Sequence, residues 1–219
     1  MPRALFEKTG SAVYISHLDL MRLFQRAFQR AGLPLTHTQG FNPRPSVSIA
    51  LPLSLGVESR CELPDFDLEG ETPSWEEVAD RLNRALISGV RILKVYSDGQ
   101  KLKNLSLLQS FVTLEYDRGI PENARENIAA LFARESLTVE KKNKNGVTEQ
   151  DLIPMIRRLS VTRISGRELR LELLGCCQNP TLNPMQLGVA IGKYLPELKP
   201  DFVRCQRLEL FDTNENVFR

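Results

Sequence analysis

Histidine is almost missing from this chain: two residues in all, His17 and His37, which excludes a His-rich metal centre. Cysteine is scarce too, with four residues, Cys61, Cys176, Cys177 and Cys205, and no C-x-x-C pair among them. A zinc knuckle needs two thiolates presented on a turn, and the vicinal Cys176-Cys177 cannot present them, so the thiols are expected to be reduced and buried in strands. No apolar run approaches the roughly 20 residues of a membrane span. The opening MPRALFEKTG has no apolar signal core, so no membrane contact and a cytoplasmic location are expected. G-x-x-x-x-G-K-[ST], G-x-G-x-x-G and G-x-S-x-G are all lacking, which leaves nucleotide hydrolysis and the usual hydrolase layouts without support. C-x-x-x-C-x-x-C is lacking as well, so the chain carries no radical SAM cluster of its own, and no cofactor or metal is expected.

What is present is the composition of an ordinary globular protein: 219 residues, 42% hydrophobic, 26% charged and 7% aromatic. The net charge is only +2, but it is unevenly spread. Residues 1–60 hold seven Lys/Arg against three Asp/Glu, and residues 61–98 hold four against nine. Within the remainder, 134–170 holds nine against five, including a cluster at Lys141, Lys142, Lys144, Arg157 and Arg158. Two basic segments separated by an acidic one suit either a solvated surface or a face for RNA or an acidic protein.

Periodicity divides the chain into two similar halves. RALFEK predicts a strand, Ser16 an N-cap, and Leu20, Phe24, Ala27, Phe28 and Ala31 one apolar face of a helix that Gly32 and Pro34 stop. Strands follow near 47–51 and 58–66, then a helix from Ser74 through Ser88 with Val78, Leu82 and Ile87 inward, and a strand at 90–96. The second half predicts strands at 111–116, 137–142, from 159, 168–174 and 202–211, a turn at 142–146, and helices at 121–134 and 183–195. The first half has the order β-α-β-β-α-β, and the second, with 152–164 mixed and one strand more, is read as the same unit, so the prediction is an α+β fold of two tandem ferredoxin-like units with antiparallel sheets. The expected domains are 1–98 and 109–219, with 99–108 as a polar connector.

Three constellations are candidates for chemistry. Ser16, His17 and Asp19 open the first helix, and Arg22, Arg26 and Arg30 follow at spacing four, on one stripe. A helix start with an arginine stripe suits phosphate, or else Asp19 only caps and the arginines are solvated. The second is the Pro- and Gly-bounded loop around His37, Gln39, Gly40, Phe41, Asn42, Pro43 and Arg44. There Phe41 either stacks on a base or plugs the core, and Arg44 grips a phosphate. The third is the Gly56 turn with Glu58, expected in an ion pair with Arg22 or Arg44. A His17–His37 or His17–Asp19 acid/base pair for RNA cleavage is the weak catalytic candidate.

These same segments resemble a known family. F-E-K-T-G, Y-I-S-H-L-D-L-M-R, R-A-G-L-P, G-F-N-P-R-P and L-P-L-S-L-G-V-E-S are similar to the bacterial radical SAM-linked proteins, a domain of unknown function. Members are encoded beside, or fused behind, a B12-binding-type radical SAM protein. Asp151–Pro154, Asn179–Met185 and Phe202–Arg204 carry the likeness into the second half. The resemblance marks Ser16, His17, Asp19, Arg22, Gly40, Phe41, Asn42, Pro43, Arg44, Gly56, Glu58 and Ser59. It implies an accessory binding subunit for a separately encoded radical SAM protein, presenting an RNA such as tRNA or rRNA. The alternatives are an adaptor for that partner without RNA contact, and an RNA-processing enzyme using His17.

Overall fold

A computed structural model describes residues 1–143 and 146–219. The chain is mixed α+β, with mostly antiparallel pairing and four α-helices among the described residues. It divides into two compact units, residues 1–102 with Arg219, and residues 103–218. No helix among the described residues is long and apolar enough to cross a membrane.

In the first unit β1 (Arg3–Lys8) is central. β5 (Val90–Tyr96) pairs with one of its edges, and β3 (Val57–Glu62) continuing into β4 (Pro64–Phe66) pairs with the other. β2 (Val47–Ile49) pairs with β4, so the order is β5-β1-β3/β4-β2, antiparallel at every neighbour.

Helix α1 (His17–Arg30) buries Leu20, Phe24, Ala27 and Phe28. Its Phe24 meets Phe6 of β1 edge-on at 4.8 Å, and Phe28 meets Phe66 of β4 at 4.9 Å. Each such side chain contributes on the order of 1.5–3 kcal/mol of burial, and that fixes which face the helix turns inward. Helix α2 (Trp75–Ala85) starts at the Ser74 cap and buries Val78 and Leu82. It is pinned to β5 by Asn83, whose side chain both donates to the Ile92 carbonyl (3.0 Å) and accepts from its amide (2.8 Å). The expected inward Ile87 is a correction: the helix stops at Ala85, Leu86 is already extended, and Ile87 is exposed.

In the second unit β6 (Leu107–Glu115) lies between β11 (Phe202–Phe211) and β10 (Glu168–Cys176), with β9 (Ile156–Arg163) outside β10, again all antiparallel. Helices α3 (Ala124–Phe132) and α4 (Gln186–Tyr194) pack Ile128, Leu131, Leu187 and Ile191 into one core with Val112, Leu114, Leu169 and Leu171. β7 (Thr138–Asn143), expected inside this sheet, instead pairs, among the described residues, only with β8 (Gly146–Asp151) as a separate two-stranded ribbon. The turn expected at 142–146 crosses positions outside the described residues. Cys61, Cys177 and Cys205 are buried, and Cys176 is half-buried.

Candidate nucleic-acid interface

The start of α1 is closed on itself. Ser16 Oγ accepts from the Asp19 amide (3.2 Å) and donates to Asp19 Oδ2 (2.7 Å), and Arg22 Nη1 donates to Asp19 Oδ1 (2.9 Å). The Ser16 hydroxyl first, and then Arg22, hold the Asp19 carboxyl below its ordinary range. The positive end of the helix therefore already has its anion, which is the chain's own carboxylate. Arg22 pairs with Asp19, and Glu58 sits half-buried in β3. His17 is half-buried at the first helical position, and its Nδ1 has no hydrogen-bond partner among the described residues. With Asp19 turned to Ser16 and Arg22, the expected His17–Asp19 acid/base pair is not assembled.

The arginine stripe is split among three uses. Arg22 is tied to Asp19, while Arg30 Nη2 donates to the carbonyl of Ala85 at 2.6 Å and so caps the end of α2. Arg26 lines a cavity of about 550 Å³. Sequence spacing placed the three on one stripe correctly, but it could not separate their tertiary partners.

Residues 36–46 form a narrow arm. At its base Ser46 N donates to Thr36 O (2.7 Å), and Thr36 and Asp67 bond through both backbone and side chain. Above that, Thr38 N donates to Arg44 O (2.9 Å) and Arg44 N to Thr38 Oγ1 (3.1 Å). The tip carries Gly40, at φ +146, then Phe41 and Asn42, all exposed. Phe41 is 105% exposed, so it does not plug the core. A phenyl ring costs water contact unless something covers it, and here a hydrogen-bonded arm holds it outward. Arg44, at the neck of the arm, is exposed as well.

The cavity lies at the foot of this arm. His37 and Pro45, which bridge each other across the arm, form part of its wall with Gln25, Arg26 and Gln29 of α1 and with Glu69. His37 Nδ1 stands 3.9 Å from Glu69 Oε1. Arg26 and His37 thus come together from two separate constellations, whereas Arg22, Arg30 and Arg44 do not line the cavity. Gln25, Gln29 and Glu69 escaped the sequence reading. Their one signal was that Gln25 and Gln29 repeat at spacing four, one position before Arg26 and Arg30.

The second basic cluster, in the other unit, is partly neutralised. Arg157 and Arg158 both meet Glu215, at 3.5 and 2.6 Å. Lys141 is half-buried in β7, Lys144 lies outside the described residues, and so does the side chain of Lys142. Among the described residues no group of three His, Cys, Asp or Glu is placed to hold a metal ion.

The model of a family described as an uncharacterized protein conserved in bacteria (DUF2344) matches residues 2–184. No curated protein sequence matches the chain. Among solved structures it is similar to a chain in the crystal structure of a Cbf5–Nop10–Gar1 complex, at 8% identity and a TM-score of 0.51, covering 95% of this chain and 48% of that one. It is also similar to a chain of the archaeal box H/ACA sRNP Nop10–Cbf5 complex, at 9% identity and a TM-score of 0.49, covering 94% and 46%. The chain therefore spans about half the length of these structures.

Proposed function

We propose that this chain, which belongs to the DUF2344 family of uncharacterized bacterial proteins, is an accessory module that grips RNA with the arm at 36–46 and the foot of that arm. One observation carries the reading: Phe41, 105% exposed at the tip of a braced arm. Phe41 and Arg44 there combine a π-face for a splayed base with a cation for its phosphate. Asn42 reads the base edge, Arg26 adds a second cation, and Gly40 gives the tip its turn. The resemblance to radical SAM-linked proteins supports a separately encoded radical SAM protein as the enzyme served. The 4-1-3-2 antiparallel order of each unit supports reading both as ferredoxin-like, the second with the β7–β8 ribbon inserted.

The test is filter retention of bulk tRNA and rRNA fragments at two salt concentrations. Retention that falls steeply with salt, and that drops in Phe41→Ala and in Arg44→Ala, is the expected result. No retention by the wild type at low salt overturns it.

A second reading has its own support. Tyr14, Leu18 and Leu55 are exposed on neighbouring segments, joined where the Gly56 amide donates to the Val13 carbonyl at 2.8 Å. Such a patch suits a protein partner. Nuclease-resistant co-purification with the radical SAM protein, unaffected by Arg44→Ala and lost in Leu55→Asp, favours an adaptor.

A further inference from the structure

The cavity at the foot of the arm has a floor made by a helix ending. Gly32, at φ +65, turns α1 in a Schellman motif: Leu33 N donates to Phe28 O (3.0 Å) and Gly32 N to Gln29 O (3.2 Å). This folds Leu33 back beside Phe28, and both are buried, with Leu35 next to them. The walls are polar and come from separate elements. Helix α1 supplies Gln25 and Gln29, one turn apart, and Arg26; the segment after β4 supplies Glu69.

Each candidate ligand can be weighed against that lining. The volume of about 550 Å³ falls among small-molecule sites, which run roughly 300–1,000 Å³. A fatty chain would leave the carboxamides and carboxylate without partners. A bare anion would waste the apolar floor and face Glu69. A flat heterocycle with both donors and acceptors, joined to a phosphate, uses every wall. Among bases, guanine sets two adjacent donors, N1–H and the N2 amino group, before a carboxylate, and its O6 accepts from an amide. Adenine has no such donor pair, and pyrimidines cover less of the floor.

We propose that this cavity takes one unstacked purine nucleotide, guanine ahead of adenine, with Glu69 accepting from the donor edge, a Gln25 or Gln29 amide donating to O6, and Arg26 meeting the phosphate. The proposal deepens the RNA reading and rests on it. His37 and Pro45 at the cavity wall are only four residues from Phe41, at most about 14 Å along an extended chain. A strand with one base in the cavity therefore has a neighbouring nucleotide within reach of the Phe41 ring.

The experiment is NMR titration of the 15N-labelled full chain with GMP, AMP and inorganic phosphate, read at the Gln25 and Gln29 side-chain amides. GMP is expected to shift both, with an affinity about tenfold above that of AMP, as one good bidentate contact provides. Phosphate alone should move neither amide, and Glu69→Gln should bring GMP down to the AMP level. Amides unmoved by millimolar GMP, or moved equally by phosphate, overturn the proposal. Filter retention of RNA on the same preparation separates the two claims. RNA held while GMP leaves the amides unmoved removes the cavity and leaves the arm. GMP bound with the stated preference while no RNA is held removes the arm and keeps the cavity as a nucleotide site.

Discussion

Thr38 and Arg44 are tied to each other twice across the neck of the arm, amide to carbonyl at 2.9 Å and amide to hydroxyl at 3.1 Å. The two bonds close the neck of the arm, and Phe41, three residues on, lies exposed at its tip. Preorganisation of this kind removes the ordering cost that a loose loop would incur on binding.

Thr38→Val keeps the shape of the side chain and removes the acceptor for the Arg44 amide. A net hydrogen bond of about 1 kcal/mol then disappears from one site. Hydrogen exchange of the Arg44 amide is expected to quicken about fivefold or more, with the thermal midpoint almost unchanged, since the pair is exposed. RNA retention should weaken with it. Unchanged exchange at Arg44 would show that the neck is braced by other contacts.

Gly32 tests the floor of the cavity. An added Cβ there meets nothing within 4 Å, so Gly32→Ala is penalised by backbone conformation alone, φ being +65. The expected loss is about 1 kcal/mol in a urea titration. Gly32→Asn should recover part of it, because asparagine tolerates the left-handed region. Equal losses for the two variants would point to packing rather than φ.

Much of this architecture was legible beforehand. The Ser16 cap, the apolar face through Phe28, the Gly32 stop and the strand at 202–211 all follow local rules, and local rules are what a sequence displays. The β7–β8 ribbon was not legible as a separate piece, because Thr138–Asn143 has strand-like residues and nothing in it says which neighbour it pairs with. The site was half legible. Loop chemistry marked Phe41 and Arg44 as candidates, but the cavity draws on Arg26 of α1, His37 and Pro45 of the arm and Glu69, whose meeting depends on the sheet. Arg30 shows the same limit, since its partner Ala85 lies 55 positions away.

Alkaline pH should find its weak point in the second unit at Tyr116. The phenol is 4% exposed and donates to the Leu198 carbonyl at 3.0 Å. Burial first, then the nearby Asp201 charge, pushes its pKa up to about 12. Below pH about 10 the phenol is neutral in both folded and unfolded chains, so its contribution is complete there. Between about 10 and 12 only the unfolded chain loses the proton, and stability falls as pH rises. Tyr116→Phe should cost about 1 kcal/mol at neutral pH through the lost bond, yet show a shallower decline across pH 10–12. Parallel pH profiles for wild type and variant would exclude Tyr116 as the group responsible.

The arginines of α1 provide the sharpest ranking, because the stripe that looks uniform in sequence has three different surroundings. Arg22 spends its charge on Asp19 at the surface, where both side chains remain more than half exposed. Arg22→Ala should therefore move neither stability nor RNA affinity much. Arg30 holds the last carbonyl of α2 and places a cation at that helix's negative end. Arg30→Ala should lower the unfolding free energy read from a urea titration by about 0.5–1 kcal/mol, with little effect on the salt dependence of RNA retention. Arg26 is the member of the stripe that lines the cavity. Arg26→Ala should leave the midpoint in place, weaken retention of every RNA tested, and reduce the slope of log affinity against log salt by about one. If all three variants lose affinity alike, the stripe acts as a diffuse positive surface and the cavity has no special share in binding; if Arg26→Ala alone does, the phosphate is held where the structure puts that guanidinium.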